Sequence, residues 1–270
     1  MVDTRQNLLN QNNVIFSQDE WENQILYLAV DVGKLLVESG AEIYRVEEVI
    51  SRISMNYGLE SAPFVILTCI MCSARNKKGE IFSLVQNIKN RTTDLDKINK
   101  INNLVRNIEK YSHEEFKIEI EKIRKGEYYS EMRKLFAYIG GAAFFSILFK
   151  GGISEFIASG IAGMILFFWI KFSDFIKTNQ YFNLTIGGAF CSMVAYTLSK
   201  FGLIAEVPIT IISSYMLMVP GISFTNAIRD LIAGDLVSGL SRGAEAILIG
   251  ASLAAGSGFT IYILMELGGI

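Results

Sequence analysis

The feature that most constrains this chain is where its charge stops. Of 52 charged residues, 39 lie up to Lys134 and only 13 follow from Leu135 onward. The whole-chain averages, 51% hydrophobic and 19% charged, would suit an ordinary globular protein, so the distribution rather than the composition decides the class. Uncharged runs occupy residues 135–149, 156–170, 180–199, 207–228 and 246–265. A helix that crosses the hydrocarbon core needs roughly 20 apolar residues. Three runs meet that length. The first two have 15 residues each, roughly 22 Å of helix, and must gain reach from flanking Lys134, Lys150, Glu155 and Lys171 by snorkelling. The expected architecture is therefore a polytopic α-helical membrane protein of about five spans with an N-terminal cytoplasmic α+β domain. Residues 1–20 read as a flexible N-terminus, 21–134 as the cytoplasmic domain and 135–270 as the transmembrane domain.

Orientation follows from Lys and Arg near the span ends, which are retained on the cytoplasmic side. With the N-domain inside, that side holds Lys122, Arg124, Lys125, Arg133, Lys134, Lys171, Lys177, Arg229 and Arg242, against Lys150 and Lys200 outside. An odd number of spans then puts the C-terminus outside. The first residues lack the apolar core of a signal peptide, so no cleaved leader is expected and the first span serves for insertion into the plasma membrane.

Enzyme chemistry finds little material. Cys69 and Cys72 sit three apart in a β-rich run, on opposite faces of a strand, and Cys191 lies within a span. His113 is the only histidine. No metal, no cofactor and no catalytic set is expected from this inventory, and structural disulfides are not expected either.

The N-domain pattern predicts a helix from Trp21 to Ser39, a stop at Gly40, and a second helix from Ala41 with Ile43, Val46, Val49, Ile50 and Ile53 on one side, ending at Gly58. After Pro63 one strand is expected over 64–74, then a turn at 76–79 and a return strand over 81–88. Two helices follow, over 94–109 behind a Thr92/Thr93 cap and over 114–124. On the second helix Glu38, Glu42, Arg45 and Glu48 or Glu47 fall three or four residues apart, the spacing of a carboxylate and guanidinium cluster. That spacing suits a site as well as a solvated network.

In the membrane half, small residues recur four apart: Gly250, Ala254 and Gly258; Ala158 and Ala162; Ser159 and Gly163; Gly187 and Cys191. Such stripes let helix backbones approach in lipid. The run from Glu206 meets Pro220 and Gly221 after about 14 residues, roughly 21 Å, before a core about 30 Å thick is crossed. A helix broken within the membrane must bury its freed backbone or face a wet cavity. The half-helix beginning near Ile222 would offer its N–H groups to an anion, with Ser223, Thr225 and Asn226 beside them and Asp230 one turn on, next to Arg229, with Asp235 beyond Gly234. The other reading of the same residues is an amphipathic helix on the cytoplasmic surface.

Three stretches, SGAEIYRVEEVISRISMNYG, TDLDKINKINNLVRNI and VPGISFTNAIRDLIAGDLVSGLSRGAEA, resemble motifs of the threonine/serine exporter family, in particular its split, two-component form. The resemblance runs from about residue 20 to the end. It implies the longer subunit, which carries the cytoplasmic domain and works with a second, shorter membrane subunit. It implies export of threonine, serine or a small dicarboxylate such as succinate, coupled to the proton gradient. Pro220, Gly221, Asn226, Asp230 and Asp235 inherit importance from the membrane motif, and Gly40, Glu42, Arg45 and Glu48 from the N-terminal one. Ser223 joins the expected site by its position. The competing expectation is a membrane-anchored enzyme or metabolite sensor acting through the N-domain; a broken span and several small-residue helices exceed what an anchor needs.

Overall fold

The computed structural model describes residues 18–126 and 129–268. Most of the segment expected to be flexible, 1–20, lies outside them. The chain forms two compact units: one takes the described residues up to 126 together with Ile222–Arg242, the other residues 129–221 and 243–268.

In the first unit, α1 (Gln18–Glu38) is the central element, buried on almost every side by Ile25, Leu26, Ala29, Val32 and Leu36. Gly40 ends it with φ +88°, where a Cβ would stand 2.9 Å from the Thr92 carbonyl. The amphipathic α2 (Ile43–Asn56) then lays Ile43, Val46, Val49, Ile50 and Ile53 into the core, as its 3.6-residue spacing predicts.

Next comes an antiparallel meander of β1 (Glu60–Ile66), β2 (Cys69–Arg75) and β3 (Ile81–Asn87), in the order β1-β2-β3. The single strand expected over 64–74 is thus a hairpin. Its turn falls at Leu67 and Thr68, residues with no turn preference, so the apolar run concealed it. Alternation gives Val65, Ile70, Cys72 and Ala74 to the core and leaves Phe64, Met71 and Val85 exposed as one cross-strand row.

The helix α3 (Leu95–Arg106) is capped by Asp94, whose carboxylate accepts from Lys97 N at 3.0 Å, and not by Thr92 or Thr93 as expected. Aspartate at that position offers a better placed acceptor to the free N–H groups. A capping box of Ser112 and Glu115 starts α4 (His113–Lys125).

The second unit holds α5 (Glu131–Leu148), α6 (Ile153–Ile176), α7 (Gln180–Lys200), α8 (Val207–Tyr215) with a 3₁₀ turn (Met216–Met218), and all but the first turns of α10 (Leu236–Gly268). Its interior is rich in small residues, Ala142, Ala143, Ser146, Ala158, Ser159, Ala162 and Gly163, around a few large ones such as Leu166, Phe167 and Leu253, while Phe144, Leu148, Phe168 and Phe172 face outward. That inversion is what lipid as solvent requires. Close approach depends on missing side chains: a Cβ on Gly163 would stand 2.5 Å from the Tyr138 carbonyl. Three of the expected stripes, Ala158/Ala162, Ser159/Gly163 and Gly187/Cys191, are buried against neighbours in this way. The Gly250/Ala254/Gly258 stripe is not; the buried side of α10 is Ile249, Leu253, Gly256 and Ser257.

Among the described residues, two helices qualify by length and apolarity to cross a membrane, Ile153–Ile176 and Leu236–Glu266, with a third if α8 with its 3₁₀ turn and α9 (Gly221–Ala233) count as one bent span. Glu155 does not snorkel, as the short-run reading required. It is buried, its carboxylate accepting from Gly152 N at 2.8 Å, Ala205 N at 3.0 Å and Glu206 N at 3.2 Å. Three backbone donors repay the burial of this charge and tie the start of α6 to the approach of α8.

Candidate functional site

Left-handed geometry at Gly40 ends α1 abruptly and turns the carbonyls of Gly40 and Ala41 away from any helix, while the first N–H groups of α2 are left without intrahelical partners. A buried loop with such unmet groups needs partners from elsewhere. They come from α9 and the first turns of α10, which belong to the same unit.

Asn226 Nδ2 donates to the Gly40 carbonyl at 2.9 Å. Arg242 donates through Nη2 to the Ala41 carbonyl at 3.0 Å and through Nη1 to that of Gly40 at 3.4 Å. The N–H of Ile43, first residue of α2, donates to Asp230 Oδ1 at 3.0 Å, so Asp230 caps a helix 187 positions earlier in the chain. Its other oxygen, Oδ2, stands 3.3 Å from Arg242 Nε, an ion pair whose members are 0% and 6% exposed at the side chain. At the margin Glu42 Oε1 accepts from Arg229 at 2.7 Å, and Arg45 lies 3.5 Å from Glu42 Oε2. Burial opposes the charge on Glu42, but hydrogen bonds from the backbone and Arg229, with the charges of Arg45 and Arg229, outweigh it and hold its pKa below the usual value.

The spacing that produces this surface is simple. Asn226 and Asp230 are one turn apart and share a face, and both are buried with Ala227 between them. Gly234, at φ +98°, ends α9, and Gly239 lets α10 fold back within reach, since a Cβ there would stand 2.9 Å from the Ala227 carbonyl. Arg242 is thereby brought to the carboxylate of Asp230.

The structure thus joins residues that the sequence presented as two sites. Gly40, Glu42 and Arg45 meet Asn226 and Asp230, and Arg229 and Arg242 complete the set. Asp235 is half-buried and ties its N–H to the Asp230 carbonyl at 2.9 Å. Glu48 is exposed and pairs with Arg52 at 2.9 Å instead, and Ser223 makes no side-chain hydrogen bond among the described residues. Pro220 and Gly221 lie at the break between the 3₁₀ turn and α9, where Gly221 N donates to the Val219 carbonyl at 2.9 Å. Arg242, which the sequence offers both as a topology marker and, with Arg229, as a partner for Asp230, pairs with that carboxylate. Its signal was available: a lone arginine at the head of a long apolar helix, past an acid-bearing one, needs a buried acid or carbonyls.

Chemically the assembly is a lock rather than a reaction centre. Its carboxylates are all engaged, and it holds no nucleophile beside a base. It fixes α9 and the head of α10 to the loop of the N-domain between α1 and α2.

Comparison with known proteins places these same residues in context. A family model described as "Putative threonine/serine exporter" matches residues 27–264, from α1 through nearly all of α10. A protein of Klebsiella aerogenes named "Probable succinate transporter subunit YjjP" is 22% identical over 240 residues, covering 84% of this chain and 89% of that one. No solved structure matches.

Proposed function

Since the chain belongs to the threonine/serine exporter family, we propose that it is one subunit of a secondary-active exporter of small carboxylates. In this reading it has about five spans, a cytoplasmic N-domain and an outer C-terminus in the plasma membrane, and it is completed by a second, shorter membrane subunit. The cargo is a small amino acid such as threonine or serine, or a small dicarboxylate; the relative's name, a succinate transporter subunit, favours the dicarboxylate. The observation that carries the reading is that the match spans both halves of the chain, and that residues of the N-terminal and membrane motifs interlock around Gly40. A mere anchor would need no such joint. The need for a partner is supported by α10, of whose apolar window 22% is buried against 44% for α6. Its Gly250, Ala254 and Gly258 are exposed, a ready backbone-approach surface for another helix.

The test is efflux from liposomes preloaded with succinate, fumarate, threonine or serine, with the chain alone and with its partner, under an imposed proton gradient. Gradient-dependent efflux only with the partner is the expected result. Export by this chain alone, or none with the partner for any of the four, refutes it. Asp230→Asn, which keeps shape and removes charge, is expected to abolish efflux while the protein stays in the membrane. Asp174→Asn, the control, is expected to change little.

A further inference from the structure

Between α2 and α3 the first unit has a groove of ≈ 270 Å³. Its floor is apolar, formed by the buried Val49 and Val105, and its walls carry Arg45 and Arg52 from one helix and Asn102 and Arg106 from the other. A second hollow of ≈ 390 Å³ adjoins it and shares Arg52 and Arg106. Three guanidiniums thus stand around one concavity. The acids that face them are Glu48, spent on Arg52 at 2.9 Å, and Glu109 in the adjoining hollow. Glu42, near Arg45, is already held by Arg229 at 2.7 Å. Arg106 makes no ion pair among the described residues. Clustered cations on facing helices repel unless an anion lies between them, and Arg106 in particular has no carboxylate among the described residues within ion-pair distance to offset its charge.

We propose that this groove binds a small dicarboxylate, one carboxylate on Arg45 and the Tyr44 hydroxyl, the other on Arg52 and Arg106, with Asn102 alongside. The shape selects the class. Arg45 and Arg52 are two turns apart on α2, roughly 10 Å along the axis, so an elongated anion with a charge at each end engages both, whereas a compact phosphate engages one. Guanidinium forks match carboxylates in pairs. Tyr44 already accepts from Arg45 Nε at 3.1 Å and holds that fork at the mouth of the groove.

Occupancy has a route to α9. Arg45 and Arg229 share the carboxylate of Glu42, at 3.5 Å and 2.7 Å. A ligand that draws Arg45 toward itself leaves Glu42 wholly to Arg229 and tightens the lock around Gly40. The groove is thus a cytoplasmic sensor for the class of molecule that the proposed exporter carries. It rests on that proposal only for this link between ligand and cargo.

Calorimetric titration of the purified full chain with its partner tests it, using succinate, inorganic phosphate and threonine at fixed ionic strength. Saturable succinate binding is expected, with phosphate and threonine much weaker. Arg52→Gln and Arg106→Gln, both at exposed positions, are each expected to weaken it about tenfold or more without lowering the melting temperature. Glu48→Gln, which removes a competing acid, is expected to tighten it. Succinate binding that survives both arginine changes belongs to the transport path and overturns the proposal, as does phosphate binding of equal strength or no binding at all. Binding with these signatures in a chain that exports nothing would keep the groove and discard the exporter.

Discussion

The two units bury opposite things. In the first, the largest fully enclosed side chains are apolar, among them Phe116, Ile25, Leu36, Ile50 and Ile101, and most charges lie outside, apart from the few held in pairs such as Asp230 and Arg242. In the second, most of the enclosed residues are small, among them Ala142, Ser146, Ala158, Ser159 and Ser192, with Leu166, Phe167 and Leu253 between them, and Phe144, Phe168 and Phe172 lie outside. Cohesion in the first therefore comes from removing hydrocarbon from water. In the second it comes from backbones brought close, with serine hydroxyls turned back onto their own helices: Ser213 Oγ reaches the Ile209 carbonyl at 2.6 Å, and Ser214 Oγ that of Thr210 at 2.6 Å. One chain thus follows two rules of packing, and each rule fails in its own way when a residue is changed.

The largest effect is expected where an added atom meets backbone. A Cβ on Gly256 would overlap the Thr185 carbonyl, so Gly256→Val is expected to yield no monodisperse protein on size-exclusion chromatography in detergent. Gly258, two positions on, has nothing within 4 Å, and Gly258→Val is expected to give normal amounts of protein but to reduce co-purification with the partner. Equal behaviour of the two would end the distinction between a packed and an open side of α10. Next comes the lock. Removing one member of a buried ion pair strands the other, so Arg242→Gln is expected to destabilise the first unit by about 3–5 kcal/mol, read from chemical denaturation of the full chain. A loss under about 1 kcal/mol would mean that water already reaches Asp230.

Within the aliphatic core the increments are smaller. Ile50→Val removes one methylene from a fully buried site and is expected to cost about 0.5–1.5 kcal/mol in the same assay. The smallest effect is set by pH. His113 is packed against Trp21, ring centroids 4.7 Å apart, and against Tyr57, and burial holds its pKa below the ordinary 6.5. A base whose folded pKa is depressed favours the folded state fully above its unfolded value. That contribution is lost as the pH falls from 6.5 through the folded pKa. The melting temperature of the first unit is expected to drop over that window, and in His113→Gln the drop is expected to shrink. A wild-type melting temperature that holds level from neutral pH to below 6 would show that the ring takes up its proton without cost.

These contrasts also explain what was legible in the sequence. The helices α1 and α2 and the glycine between them could be read because apolar spacing and a left-handed stop are local signals. The division of charge marked the change of solvent for the same reason. The hairpin of β1 and β2 was invisible because Leu67, at its turn, is a buried apolar residue continuous with the strands on both sides. At the site, most participants could be named, but not their partnership. Asn226 and Asp230 announced a polar face on α9, and Glu42 and Arg45 one on α2. Nothing within either segment says that the first exists to satisfy the carbonyls and the bare helix end beside the second. Long-range polar complementarity leaves no periodic trace, so the two motifs read as separate sites.

The capping of Ile43 by Asp230 sets an order in time. A ribosome adding roughly 5–20 residues per second needs roughly 10 to 40 s to pass from one to the other, because 187 residues separate them. During that interval the Gly40 and Ala41 carbonyls and the head of α2 have only water for company. The domain made first is therefore finished last, by a segment that arrives only after four of the helices of the second unit have been synthesised. A chain stalled or wrongly threaded within them would present the cell with an N-domain still open at that loop, a visible mark of incomplete manufacture.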